Sequence, residues 1–261
     1  MTNTRISAET IAAARRSLTP LAPLAAELTP LGLETGYRIQ DDLHQLLSAD
    51  YGPLVGYKIG CTSDVMQKYL SIAHPCSGGI FASRVHRSGA SLRADSYVRV
   101  GIECEIAVRL GRDLTPSQRP FTAETVGDAV EVYYPAIEIV DDRYVEWQTL
   151  GAPTLVADDF FAAGIVLGEP VPREAVPDLL EVRGRALING KEVGRGTGAD
   201  LLGHPHNALA WLANHLAAQN KSLVRGQVVM TGSLVQTVWL MAGDVARMEF
   251  SSLGTVDLAI T

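Results

Sequence analysis

The sequence predicts an α+β protein: a mixed, curled β-sheet core with a helical layer at its N-terminal end. Three observations predict it. Residues 53–261 hold several short apolar runs at close spacing with few helical stretches between them, which favours a mixed sheet over a doubly wound parallel one. Residues 1–52 carry apolar positions at helical spacing and end at Gly52-Pro53, so they read as a helical region packed on the main domain or on another subunit. The 261-residue chain is 47% hydrophobic, but its apolar residues come in runs too short for a membrane helix, which needs roughly 18.

Taken in order, Ser7 is expected to cap the first helix, with Ile6 and Ile11 stapled across that cap, and the helix should stop before Pro20. A connector holding Pro20, Pro23 and Pro30 leads to Thr35. Beyond it Ile39, Leu43, Leu46 and Leu47 mark one face of a second helix. Residues 54–60 read as a strand entering a glycine turn, and residues 63–70 as a short helix. His74-Pro75-Cys76-Ser77-Gly78-Gly79 reads as a loop whose glycines let backbone approach a ligand, a candidate lid. Residues 100–108 and 135–141 read as buried strands, separated by a polar connection over 112–120 and a helix from about Thr122. Residues 154–168 read as a further apolar strand interrupted by Asp158-Asp159. Asn189-Gly190 centres a hairpin over residues 183–195. Gly203-His204-Pro205 opens a helix with Leu209, Leu212 and Leu216 on one face. Short strands split by Gly243-Asp244 and Leu253-Gly254 complete the chain.

Charge narrows the function. A formal charge of −7 without a basic cluster argues against nucleic acid or an anionic membrane as partner. No hydrophobic block opens the sequence, so the expectation is a cytoplasmic protein. Cys61, Cys76 and Cys104 are odd in number and lack CxxC spacing, which points to neither a disulfide framework nor a thiolate zinc site. His204 and His206 are read as polar groups at a helix start rather than as metal ligands.

The acids inside the strands carry the chemistry. Strand side chains alternate, so Glu103 and Glu105 must share one face of the 100–108 strand. A Glu-x-Glu is ordinarily the solvent face of an edge strand. Glu138, between Ile137 and Ile139, sets the same acid in an equally apolar run, and carboxylates there need a cation or donor to offset burial. One hard divalent ion held by Glu103, Glu105 and Glu138 meets that need. Lys58 is the one charge in its run, either a snorkelling surface lysine or one whose pKa desolvation lowers so that it trades protons with substrate. Arg143 either forks onto a substrate carboxylate or pairs with a neighbouring aspartate.

These stretches, Gly56-Tyr57-Lys58-Ile59-Gly60-Cys61-Thr62-Ser63, Ile102-Glu103-Cys104-Glu105-Ile106-Ala107, residues 135–143, Gly203-His204-Pro205 and Thr231-Gly232-Ser233, resemble those of the 2-keto-4-pentenoate hydratase and 4-oxalocrotonate decarboxylase family, within the fumarylacetoacetate hydrolase superfamily. The resemblance runs from about residue 35 to the end. It implies a β-roll of the fumarylacetoacetate hydrolase type over residues 53–261, Mg²⁺ or Mn²⁺ on Glu103, Glu105 and Glu138, a small 2-oxo acid substrate, and a homo-oligomer. Lys58 and Arg143 are then the catalytic candidates, and Cys76, Ser77, Asp158, Phe161 and Ser233 the substrate-binding ones. The chain departs from the family pattern where an acid becomes Cys76, and where Asp159 and Phe161 replace an amide and a hydroxyl. The expected activity is a metal-dependent lyase hydrating a 2-hydroxypenta-2,4-dienoate-like acid. The alternatives are vinylogous decarboxylation of a 4-oxalocrotonate-like diacid, hydrolysis of an acylpyruvate, and a non-catalytic partner subunit of the same fold.

Overall fold

A computed structural model describes residues 3–176 and 178–261. Helices α1 (Asn3–Ser17) and α2 (Leu33–Tyr51) precede strand β1 (Leu54–Gly60), helix α3 (Asp64–Tyr69) and strands β2 (Cys76–Phe81), β3 (Val85–Arg87) and β4 (Ala90–Leu92). Then come β5 (Val100–Leu110), α4 (Ala123–Gly127), β6 (Val130–Asp141), α5 (Gly151–Ala157), β7 (Ala162–Leu167) and β8 (Val171–Pro172). The hairpin β9 (Arg183–Ile188) and β10 (Lys191–Thr197) leads to α6 (Pro205–Ala218). Strands β11 (Val228–Ser233), β12 (Val238–Trp239), β13 (Val245–Phe250) and β14 (Gly254–Ile260) close the chain.

The larger sheet runs β2-β1-β11-β5-β6-β7-β3, with β12 beside β5 and β8 beside β6. It is mixed, since β1 pairs parallel with β11 and β3 with β7 while β5 and β6 are antiparallel. The sheet curls until β2 approaches β7, and the enclosed face is lined by Ile80, Ala107, Ala136, Ile165 and Met230. The opposite face meets the second sheet, β10-β9-β13-β14-β4, and α6 across the main core. Ile102, Ile106, Ile137 and Ile139 are fully buried there, as the alternation along β5 and β6 requires.

The helical layer is no loose appendage. Ile11, Ile39, Leu43 and Leu47 share an apolar cluster with Cys61, Cys76, Phe81, Leu155 and Phe160, so α1 and α2 are packed over one end of the curled sheet. Met1 and Thr2, part of the 1–52 region, lie outside the described residues.

Three local expectations are corrected. Ser7 lies inside α1, where its hydroxyl donates to Asn3 O at 2.9 Å and Leu28 O at 2.7 Å; it ties the helix to the connector, and Ile6 and Ile11 staple no cap. The 74–79 segment is no lid: from Cys76 it is strand β2, buried along its length against β1. Residues 154–157 are the end of helix α5 and the strand begins only at Ala162, because a short apolar run carries no period that separates strand from buried helix.

Candidate metal centre

Register builds the centre. Glu103 on β5 pairs with Glu138 on β6, and Glu105 with Ala136, so the three acids converge on the concave face at one end of the roll. One oxygen of each lies within 4.8 Å of the others. Glu105 is 0% and Glu138 1% exposed, and Glu103 is half-buried. The Gly232 N–H donates to Glu105 Oε2 at 2.9 Å, and the Thr237 hydroxyl donates to Glu103 Oε1. Gly232 has φ +113°, and a Cβ there would stand 2.6 Å from Thr62 Oγ1, so only glycine turns its N–H toward the acid at this point.

What is left unmet defines the site. Glu105 Oε1 and both oxygens of Glu138 have no hydrogen-bond partner among the described residues. Lys58 Nζ, 3% exposed, sits 2.9 Å from Glu138 Oε1 as an ion pair outside hydrogen-bond angles. Burial, and then the charges of Glu138 and Glu103, push Glu105 well above the ordinary carboxylate range. Burial also lifts Glu138, to about 6, against the pull of Lys58. Desolvation alone would lower the lysine, but Glu138, Glu103 and Glu105 together hold it above its ordinary value. The expectation of a lysine with a lowered pKa is therefore corrected: Lys58 keeps its proton. Three carboxylates, crowded and with three oxygens unsatisfied beside a single ammonium, suit a hard divalent cation.

Around this centre the other candidates separate. Arg143 donates from Nε to Asp158 Oδ2 at 2.7 Å, from Nη2 to Asp158 O at 2.7 Å and from Nη1 to Phe161 O at 3.2 Å, the aspartate-paired alternative of its two readings. Asp158 also binds Arg15 of α1, which reaches Asp159 Oδ2 at 3.1 Å. Ser233 donates to Val235 O at 2.7 Å. The backbone of Ser77 binds Gln40 and Tyr37 on α2. Cys76 is fully buried, and its hydrogen-bonded neighbour Cys61, together with burial, pushes the Cys76 thiol up. Phe161 packs edge-on to Tyr144 at 4.9 Å and Trp147 at 5.7 Å.

Several contributors escaped the sequence. Phe160 lies over Lys58, with Nζ 5.5 Å from the ring centre. It is set there by three successive residues in the left-handed region, Asp159 (φ 56°), Phe160 (φ 49°) and Phe161 (φ 67°), strain of a kind that persists only where the surroundings enforce it. Arg15, His44 and the Gly79 N–H enforce it through Asp158 and Asp159. The adjacent pair Phe160-Phe161 was the available signal; Arg15, Thr62 and Thr237 gave none.

The fold and site together define an enzyme scaffold with a carboxylate triad for a divalent ion. The chain belongs to the fumarylacetoacetate hydrolase family, whose model, Fumarylacetoacetate (FAA) hydrolase C-terminal, matches residues 81–261. It is 35% identical over 251 residues to the 2-hydroxyhexa-2,4-dienoate hydratase of Comamonas testosteroni, covering 95% of this chain and 94% of that one. It is 36% identical over 245 residues to the 2-keto-4-pentenoate hydratase of Paraburkholderia phymatum, covering 93% and 92%. Its fold matches that of 4-oxalocrotonate decarboxylase from Pseudomonas putida G7, complexed with magnesium and adipate, with a TM-score of 0.94 at 24% identity over 100% of this chain and 99% of that one.

Proposed function

We propose that the protein is a divalent-metal-dependent lyase that hydrates a 2-hydroxypenta-2,4-dienoate-like acid. The observation that carries this is the triad of Glu103, Glu105 and Glu138, with three of its oxygens unpartnered among the described residues, beside Lys58 Nζ at 2.9 Å from Glu138. A Mg²⁺ or Mn²⁺ ion held by those carboxylates would supply a Lewis acid to a chelating 2-oxo carboxylate. Lys58 holds a proton at Nζ for the substrate carbon that gains electron density, and Phe160 shields that ammonium from water. Phe161, Ser77 and Ser233 border the substrate in this reading, Arg143 and Asp158 fix the turn that carries Phe160, and the protein is a cytoplasmic homo-oligomer. Hydratase relatives spanning more than nine-tenths of the chain support it.

One observation favours a second reading. Cys76, where the resemblance expects an acid to activate water, is a buried thiol pushed further from ionisation. Vinylogous decarboxylation needs no such base. Incubation with Mg²⁺ and 2-hydroxypenta-2,4-dienoate in ¹⁸O water, and separately with 4-oxalocrotonate, tests both. Oxygen incorporation without CO₂ supports hydration; CO₂ release without incorporation replaces it with decarboxylation; turnover of neither sinks both.

A further inference from the structure

We propose that Thr231 is a positioning residue for the metal centre; this rests on the lyase reading above. Its hydroxyl clamps a β-bulge in β11 that aims the Gly232 N–H at one oxygen of Glu105 and leaves the other free for the ion. The ladder shows the bulge. Met230 pairs with Ala107 and Ser233 with Glu105, so two residues of β11, Thr231 and Gly232, stand opposite one residue of β5, Ile106. The side chains record the same shift. Met230 lies on the enclosed face and Leu234 in the main core on the other side, whereas residues four apart in a regular strand share a face.

Two contacts hold the extra residue in place, and a third uses it. Thr231, 0% exposed, donates from Oγ1 at 2.8 Å to Ile106 O, the carbonyl of the one residue facing the bulge. From the end of β1, Thr62 closes against Gly232, where an added Cβ would stand 2.6 Å from the threonine Oγ1. Gly232, at φ +113°, then gives its N–H to the side chain of Glu105, with Oε2 at 2.9 Å. Because that oxygen is engaged, Oε1, buried and without a partner among the described residues, is the one presented to the centre. Lys58 pairs with Met230, the residue just before the bulge, so one irregularity sits between the strand of the ammonium and the strand of the acid. A buried hydroxyl that fixes the donor to a metal-binding carboxylate acts on the ion only through that carboxylate's orientation, and losing such support weakens metal binding.

The test removes the hydroxyl and reads the ion. Thr231→Val keeps the branched shape without the donor, and Thr231→Ser keeps the donor without the methyl. Mg²⁺ binding is measured by titration calorimetry on folded protein, and hydrogen exchange of the Gly232 amide is followed in the metal-free state. In the wild type that amide should be protected before any metal is added. Thr231→Val should bind Mg²⁺ about 10- to 100-fold more weakly and exchange the Gly232 amide faster, and Thr231→Ser should restore most of both. A Thr231→Val protein that loses stability but binds Mg²⁺ as the wild type does overturns the positioning role while leaving the metal centre standing, as does a serine variant that binds no better than the valine one. If Thr231→Val does not fold, the wild type decides: a Gly232 amide that exchanges as freely as an exposed loop overturns the clamp. Absence of Mg²⁺ binding by the wild type overturns the lyase reading and the clamp together.

Discussion

Two clusters of buried acids sit close together in this molecule and are handled in opposite ways. Asp158 and Asp159 are 1% and 0% exposed, and protein groups meet them throughout: Arg15, Arg143, His44 and the Gly79 N–H. Glu105 and Glu138 are equally buried, but three of their four oxygens have no hydrogen-bond partner among the described residues. Burial of a charge costs several kcal/mol unless it is compensated, so the two clusters cannot serve the same end. The first is complete as folded and braces a strained turn. The second is left open on three oxygens, with only Lys58 beside it, a setting that suits a cation from outside the chain.

The contrast predicts opposite results from removing a charge on each side. Glu105→Gln should lower turnover by on the order of 10³-fold or more and weaken Mg²⁺ binding, as seen by calorimetry. Its melting temperature in EDTA should equal or exceed that of the wild type, because an uncompensated buried charge has been neutralised. A Glu105→Gln protein with wild-type turnover would remove the triad from the chemistry. Asp158→Asn should instead leave two arginines under-paired in a buried setting and cost about 3–5 kcal/mol of stability by denaturant unfolding. The fraction still folded should keep its Mg²⁺-induced thermal shift, and an Asp158→Asn protein as stable as the wild type would show that the turn needs no such brace.

Only one of the two clusters was legible beforehand, for a physical reason. Glu105 and Glu138 betray themselves locally: Glu138 stands between Ile137 and Ile139 and Glu105 between Cys104 and Ile106, each in an apolar strand, and strand period alone places Glu105 on the face of Glu103. The strands, the hairpin at Asn189-Gly190 and the helix after His204 were readable for the same reason, since pattern and turn chemistry act over a few residues. Arg15 meets Asp158 across 143 residues, and His44 meets Asp159 across 115; neither end of such a pair alters its own neighbourhood in the chain. Residues 154–157 failed differently, because four apolar residues fit a buried helix end as well as a strand. Arg143 carried two readings, and only its contact with Asp158 distinguishes them.

The pH dependence of stability should separate the clusters without mutation. Glu138 is raised to about 6, so the metal-free fold has its full contribution from the protonated carboxyl below about pH 4.5 and loses it as pH rises through about 6. Asp159 runs the other way. Although burial opposes it, His44, Arg15 and the Gly79 N–H hold this carboxyl well below the ordinary range. Its contribution is thus present above about pH 3.8 and lost only as pH falls through that depressed value. Between pH 5 and 7.5 Asp159 stays ionised, whereas a metal ion at the glutamates would have to compete with protons. The rise in melting temperature produced by Mg²⁺ should therefore be small at pH 5 and greater at pH 7.5, by on the order of 4 °C. A Mg²⁺ effect independent of pH would mean that the ion does not compete with protons at these carboxyls.

The smallest effect lies at the edge of the open cluster, where Glu103 differs from its two partners. It is half-buried, and the Thr237 hydroxyl already donates to its Oε1. Val238, the next residue, pairs with Ile102 on β5, so the ladder itself brings Thr237 beside the acid. Thr237→Val keeps the branched shape and removes only the donor. Because water can reach a half-buried carboxylate and replace part of the lost bond, the change should weaken Mg²⁺ affinity by about 3- to 10-fold rather than abolish it. Thr237→Ser should restore most of the affinity, and thermal stability in EDTA should move by less than about 1 kcal/mol. Affinity unchanged in Thr237→Val would mean that the β5 backbone alone aims Glu103. The hydroxyl would then be a satisfied surface contact, and the open cluster would owe its geometry wholly to the register of β5 on β6.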